Sequence, residues 1–119
     1  MIFLDKLITN NPLACEKYSG RYEIEFAELP AIDILKKARD YIHNGHKLIT
    51  HPLASSIPHK DTPYRSIIIS KALGATDFNS VKLIENAIAA YLKFSARHFN
   101  IAPHIAKDFM AIDCDMLAK

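Results

Sequence analysis

Glycine is scarce, at three residues in 119, and no segment repeats, which excludes collagen-like and low-complexity chains. The two cysteines, Cys15 and Cys114, lie far apart. They are too few for a disulfide framework and read as reduced thiols of a cytosolic protein. Neither sign of charge dominates. Fifteen basic residues against thirteen acidic ones leave a formal net charge of +2, so there is no electrostatic case for nucleic acid. No apolar run approaches the length needed to cross a bilayer, and the N-terminus has no basic region followed by a cleavage site. Neither a membrane span nor a secretory leader is expected. A glycine-rich phosphate loop is missing too, which speaks against a standard nucleotide site, and nothing points to a cofactor.

What is there is an ordinary hydrophobic half and a charged quarter, which suits one domain over residues 1–119. Residues 1–9 are apolar enough for a buried strand, ended by Asn10-Asn11-Pro12, since proline lacks the amide hydrogen a central strand needs. Pro12 can open a short helix through Tyr18, with Asn10 or Asn11 as its cap. Tyr22, Ile24 and Phe26 alternate with Arg21, Glu23 and Glu25, the pattern of a half-buried edge strand. From Pro30, Ile32, Leu35, Ala38 and Ile42 recur at helical spacing, and Asn44-Gly45 stops that helix. Short strands are expected over residues 47–50 and 66–70. A long helix over residues 79–98 is apolar on two sides, through Val81, Ile84, Ile88 and Tyr91 and through Leu83, Ala87, Ala90 and Phe94. Such a helix is either sandwiched or part of an oligomer interface. A final helix begins near Pro103, with Ile105, Phe109, Ile112 and Met116 on one face. The expected architecture is a three-layer α/β domain, with a mostly parallel sheet of about four strands flanked by helices.

Ligands of open α/β sheets bind beyond the carboxyl ends of the strands. That rule singles out Thr9-Asn10-Asn11, leaving the first strand, and Thr50-His51 through Ser55-Ser56, leaving the third. The segment from His51 to Tyr64 carries Pro52, Pro58 and Pro63, and a long proline-bearing loop in a small domain is usually functional or disordered. Its hydroxyls and the cations Lys60 and Arg65 are the parts needed to hold an anion. The expected ligand-binding set is Thr9, Asn10, Asn11, Thr50, His51, Ser55, Ser56, Tyr64 and Arg65.

Four of the six histidines, His43, His46, His51 and His59, crowd one stretch. Metal is the first idea, but Gly45 breaks the helix between His43 and His46, and no acidic or cysteine partner completes a ligand set. No metal site is expected. His51 alone directly follows an expected strand and is the candidate general acid–base. A serine nucleophile at Ser55 or Ser56 has no elbow motif to support it.

The run Arg39-Asp40-Tyr41-Ile42-His43-Asn44-Gly45-His46-Lys47-Leu48-Ile49-Thr50-His51-Pro52-Leu53, continued by Thr62-Pro63-Tyr64-Arg65-Ser66, resembles the GrdX family. Leu7-Ile8-Thr9-Asn10-Asn11-Pro12 and Ile84-Glu85-Asn86 are similar to further pieces of that family. Its members are small proteins associated with glycine, sarcosine and betaine reductase gene clusters of anaerobic bacteria. The resemblance implies an accessory role in glycine reductase metabolism and no assigned reaction.

The leading expectation is therefore a cytoplasmic protein that binds a small polar or anionic molecule at the strand ends. A protein-interaction module, homodimeric through the 79–98 helix, is the rival from another class, and a small enzyme using His51 is the third.

Overall fold

Strand β1, Lys6–Thr9, is the centre of the sheet, with β2 (Glu23–Phe26) on one side and β3 (Ser66–Ile69) on the other. The computed structural model describes residues 5–50, 64–71, 73–94 and, near the C-terminus, 107–108, 110–111 and 113–114. Three helices complete the described elements: α1 (Pro12–Lys17), α2 (Ala31–His43) and α3 (Phe78–Phe94). Residues 107–108, 110–111 and 113–114 are also helical.

β1 pairs with β2 in parallel and with β3 antiparallel, with Thr9 opposite both Phe26 and Ser66. The sheet is thus a mixed one of three strands, not a mostly parallel one of four. One reason lies in residues 47–50. They run beside β3 but make only a single bridge, Leu48 to Ile69, where side chains take two of the bonds a ladder would use and the Leu48 amide turns away from β3. The Lys47 amide donates to Ser70 Oγ at 2.7 Å and the Leu48 amide to Ser80 Oγ at 3.0 Å. The Ile68 amide donates to Thr50 Oγ1 at 2.9 Å. The other reason is direction. Thr50 lies beside Ile68, at the sheet end where β3 also begins, so residues 47–50 and β3 run antiparallel side by side. β2 has the edge position its alternation predicts.

Strand alternation divides the core in two. Ile8, Ile67 and Ile69 face α2 and α3, where Ile34, Leu35, Ala38, Ile42, Ile84, Ala87 and Ile88 close over them. Leu7 and Ile68 face the other way, against Ala14 of α1, Tyr18 and Cys114. Helical layers therefore cover both faces. Full burial of an isoleucine or leucine side chain stabilises by about 1.5–3 kcal/mol, so the continuous apolar run of β3 makes it the natural floor for both layers.

Helix ends follow local chemistry. Asn11 caps α1, accepting from the Leu13 amide at 3.0 Å, with Pro12 just inside the helix. Asp77 caps α3 through the Ser80 amide at 3.0 Å. α2 ends in a Schellman motif, with the His46 amide on Tyr41 O and the Gly45 amide on Ile42 O, both at 3.1 Å. Gly45 has φ +109° there, as its place after the helix predicts.

Of the two apolar sides of α3, Ile84, Ala87 and Ile88 are buried and Val81, Leu83, Ala90 and Tyr91 half-buried. Residues 1–4 of the first expected strand, 95–98 of the long helix and Ile105, Phe109, Ile112 and Met116 of the last lie outside the described residues, as does the side chain of Phe94.

Candidate functional site

The C-terminal end of β1 and the N-terminal end of β3 meet at one end of the sheet, and their terminal side chains there are polar. Thr9 is completely buried, as is Asn11. Thr9 Oγ1 accepts from the Asn11 amide at 2.9 Å and lies 2.7 Å from Ser66 Oγ, its cross-strand partner. Ser66 Oγ donates to Asp113 Oδ2 at 2.6 Å, and Asn11 Nδ2 donates to the same oxygen at 2.9 Å. Since Ser66 gives its one proton to the carboxylate, the Thr9 hydroxyl must donate to Ser66. The result is a closed ring of hydrogen bonds from the Asn11 amide through two hydroxyls to Asp113 and back to the Asn11 side chain. In a buried setting such bonds polarise one another. Asn11 Nδ2 also reaches Met110 O at 3.0 Å, so a single side chain caps α1 and holds the C-terminal helical residues.

Asn10 does a parallel job on the other flank. Its Nδ2 donates to Leu29 O at 2.9 Å, ahead of α2, and its Oδ1 accepts from the Arg65 amide at 2.8 Å. Arg65 is 5% exposed, with its guanidinium carbon 5.9 Å from the Tyr91 ring centroid. Burial pulls its pKa below the ordinary guanidinium value, with Asp113 and Tyr91 opposing that pull; it remains a cation. Tyr64, just before it, is half-buried.

Thr9, Asn10, Asn11 and Arg65 are thus brought together, and Thr50 stands at the same sheet end with its hydroxyl committed to Ile68. His51, Ser55 and Ser56 lie outside the described residues, as do His59 and Lys60. Sequence reasoning missed two members of the ring, Ser66 and Asp113. Ser66 could have been found by pairing the two strand ends. Asp113 carries no local signal at all.

A second polar cluster, also missed, lies on the α2 side of the sheet near the start of β1. Tyr41 donates to Glu25 and accepts from Lys6 Nζ at 3.2 Å, while Lys37 Nζ reaches Glu25 at 3.4 Å. Burial pushes Glu25 up, but hydrogen bonding from Tyr41 and the two lysines outweighs it and the carboxyl sits below its usual range. His46 packs edge-on against Tyr41 and bonds Ser70 O through Nδ1 at 2.7 Å. In neutral imidazole the proton is then on Nδ1, because a carbonyl only accepts. His43 lies near Glu85 at the surface, at 3.6 Å. Among the described residues no group of three or more histidine, cysteine, aspartate or glutamate side chains could hold a metal ion.

Together these features describe a small three-layer α/β domain with a mixed sheet and a buried polar ring at one end of the sheet. The chain belongs to the GrdX-like protein family, whose model matches residues 6–119, nearly its whole length. No curated protein and no solved structure matches it. Among the described residues no helix is long and apolar enough to cross a membrane.

Proposed function

We propose that this GrdX-like protein binds a small polar or anionic ligand at the sheet end where β1 stops and β3 begins, as an accessory to the glycine reductase metabolism its family accompanies. The observation that carries the reading is Arg65. It is a buried cation, anchored by its backbone to Asn10 and standing where the chain returns from the 51–63 segment. A guanidinium in a low-dielectric setting attracts a carboxylate or phosphate more strongly than one in water. Thr50 and Tyr64 flank that segment in the sequence, and His51, Ser55 and Ser56 belong to it. Thr9, Asn10 and Asn11, whose side chains already bond to the protein, act in this reading as positioning residues that hold Arg65 and the strand ends.

Thermal unfolding of the full chain with glycine, acetyl phosphate and inorganic phosphate, each in separate titrations, tests the proposal. A ligand at a hundredfold its dissociation constant stabilises by about 2.7 kcal/mol, enough to raise the Tm by roughly 10 °C in a domain of this size. Arg65→Lys keeps the charge and loses the planar fork, so it should fold and show a much smaller shift. If none of the three raises the wild-type Tm, or if Arg65→Lys responds as fully as wild type, the reading fails.

A further inference from the structure

Two buried charges of opposite sign flank the sheet end described above. Arg65 is 5% exposed and Asp113 6%. The guanidinium lies on the α3 side, beside the Tyr91 ring. Asp113 stands on the α1 side, bonded to Asn11 and next to Cys114 of the second core cluster. Ser66 links the two, since it follows Arg65 in the chain and donates to Asp113 Oδ2 at 2.6 Å. The Asp113 charge reaches the guanidinium, opposing the fall in pKa that burial causes at Arg65. A buried charge is costly unless an opposite charge accompanies it. Arg65 therefore has part of its compensation built into the chain, supplied by a residue 48 positions later in the sequence.

We propose that Asp113 is the resident counter-ion of Arg65 and selects, at this sheet end, a ligand with a single carboxylate over a phosphate dianion. The inference rests on the ligand reading of Arg65 given above and narrows it. A lone buried guanidinium favours the more highly charged of two anions, because attraction grows with ligand charge. With Asp113 beside it the balance changes. A carboxylate takes the planar fork of Arg65 in two parallel hydrogen bonds, and that contact offsets repulsion from Asp113. The second charge of a dianion finds no second guanidinium at Arg65. It gains from Arg65 about what it loses to Asp113, and its added desolvation is left without return. An ammonium group on the same ligand would lie in a favourable field, so amino acids belong to the selected class. Asp113 is thus a specificity-determining residue that acts through charge. Its bonds to Ser66 and Asn11 fix where that charge stands.

Isothermal titration calorimetry of the full chain at about pH 8, above the second phosphate pKa, tests this with glycine, acetate and inorganic phosphate. Their net charges run from zero through one negative to nearly two. Wild type should bind acetate at least as tightly as phosphate. Asp113→Asn keeps an oxygen for Ser66 and Asn11 and removes the charge. It should leave glycine binding unimproved, tighten acetate roughly tenfold and tighten phosphate further still. Asp113→Glu retains the charge and should keep the wild-type order. A purely structural role for Asp113 would weaken all three probes alike. A wild type that favours phosphate over acetate by about tenfold overturns the inference, whether or not Asp113→Asn folds. So does a folded Asp113→Asn chain whose affinities do not rise with ligand charge. In either case the ligand reading survives where Arg65→Lys abolishes wild-type binding. If no probe binds wild type or Asp113→Asn, both fall together.

Discussion

Asn11 Nδ2 donates to Asp113 Oδ2 across 2.9 Å of space and 102 residues of sequence. The same side chain caps α1 through its oxygen, so one amide group ties a helix start to the C-terminal helical residues, while the Asn11 backbone amide holds the strand end at Thr9. An asparagine is suited to this because it offers an acceptor and a two-proton donor on one planar group.

Asn11→Ala should cost about 2–4 kcal/mol, from a lost cap of roughly 1 kcal/mol and a buried carboxylate deprived of a donor. Asn11→Asp keeps the cap but sets a second carboxylate against Asp113, and the pair repels when both are charged. Exchanging the two residues, Asn11→Asp with Asp113→Asn, restores one donor and one charge. Urea denaturation should show the double variant more stable than Asn11→Asp alone; equal stabilities would mean that the two side chains do not interact.

Gly45 and Gly20 both have positive φ, at +109° and +89°, yet their surroundings differ. A Cβ on Gly45 would stand 2.3 Å from Gly74 O, a backbone atom, whereas one on Gly20 would meet nothing within 4 Å. Gly20→Ala should cost about 1–2 kcal/mol, the price of the backbone conformation. Gly45→Ala carries that cost plus the displacement of a packed turn, about 3 kcal/mol or more. Thermal unfolding of the two variants side by side measures the difference, and similar losses would contradict the close approach of the two loops.

Ser80 is 2% exposed, and its hydroxyl satisfies the Leu48 amide and binds the Asp77 carboxylate. Ser80→Ala leaves that amide without its acceptor, a loss of about 1–3 kcal/mol. Amide hydrogen exchange should show the Leu48 N–H losing protection while Ile67 and Ile69 in β3 keep theirs. Unchanged Leu48 protection would mean that residues 47–50 are held by other bonds.

Glu25 has its pKa depressed in the fold, so its contribution is present above the unfolded-state value and is lost as pH falls through the folded one. In Tyr41→Phe one of the donors that depress it is gone. The variant should therefore lose less stability than wild type on acidification between about pH 5 and pH 3. Parallel stability–pH curves over that window would show that Tyr41 does not hold the carboxylate in solution.

How much was legible follows from the range of the interactions. The caps at Asn11 and after α2, the edge position of β2 and the inward face of α2 all depend on residues within a few positions of one another, and all appear in the structure. The fourth strand failed for an equally physical reason. Lys47-Leu-Ile-Thr50 has strand composition, and its Ile49 amide does reach Ile68 O of β3, but the Lys47 and Leu48 amides find the Ser70 and Ser80 hydroxyls, acceptors that sequence spacing does not reveal. The strand-end rule did collect Thr9, Asn10 and Asn11, and the loop's cations added Arg65. It could not show that their side chains and amides bond first to the protein itself.

Local chemistry, then, decided where helices start and stop, which residues face inward and that the polar residues gather at strand ends, because capping, turn geometry and alternation act over one or two turns of chain. Tertiary structure alone decided the antiparallel entry of β3 and the union of Thr9, Ser66 and Asp113 in one ring. It also left Phe78 and Leu92 of α3 exposed. Those outcomes depend on which distant surfaces pack together, and packing is settled by the whole core at once.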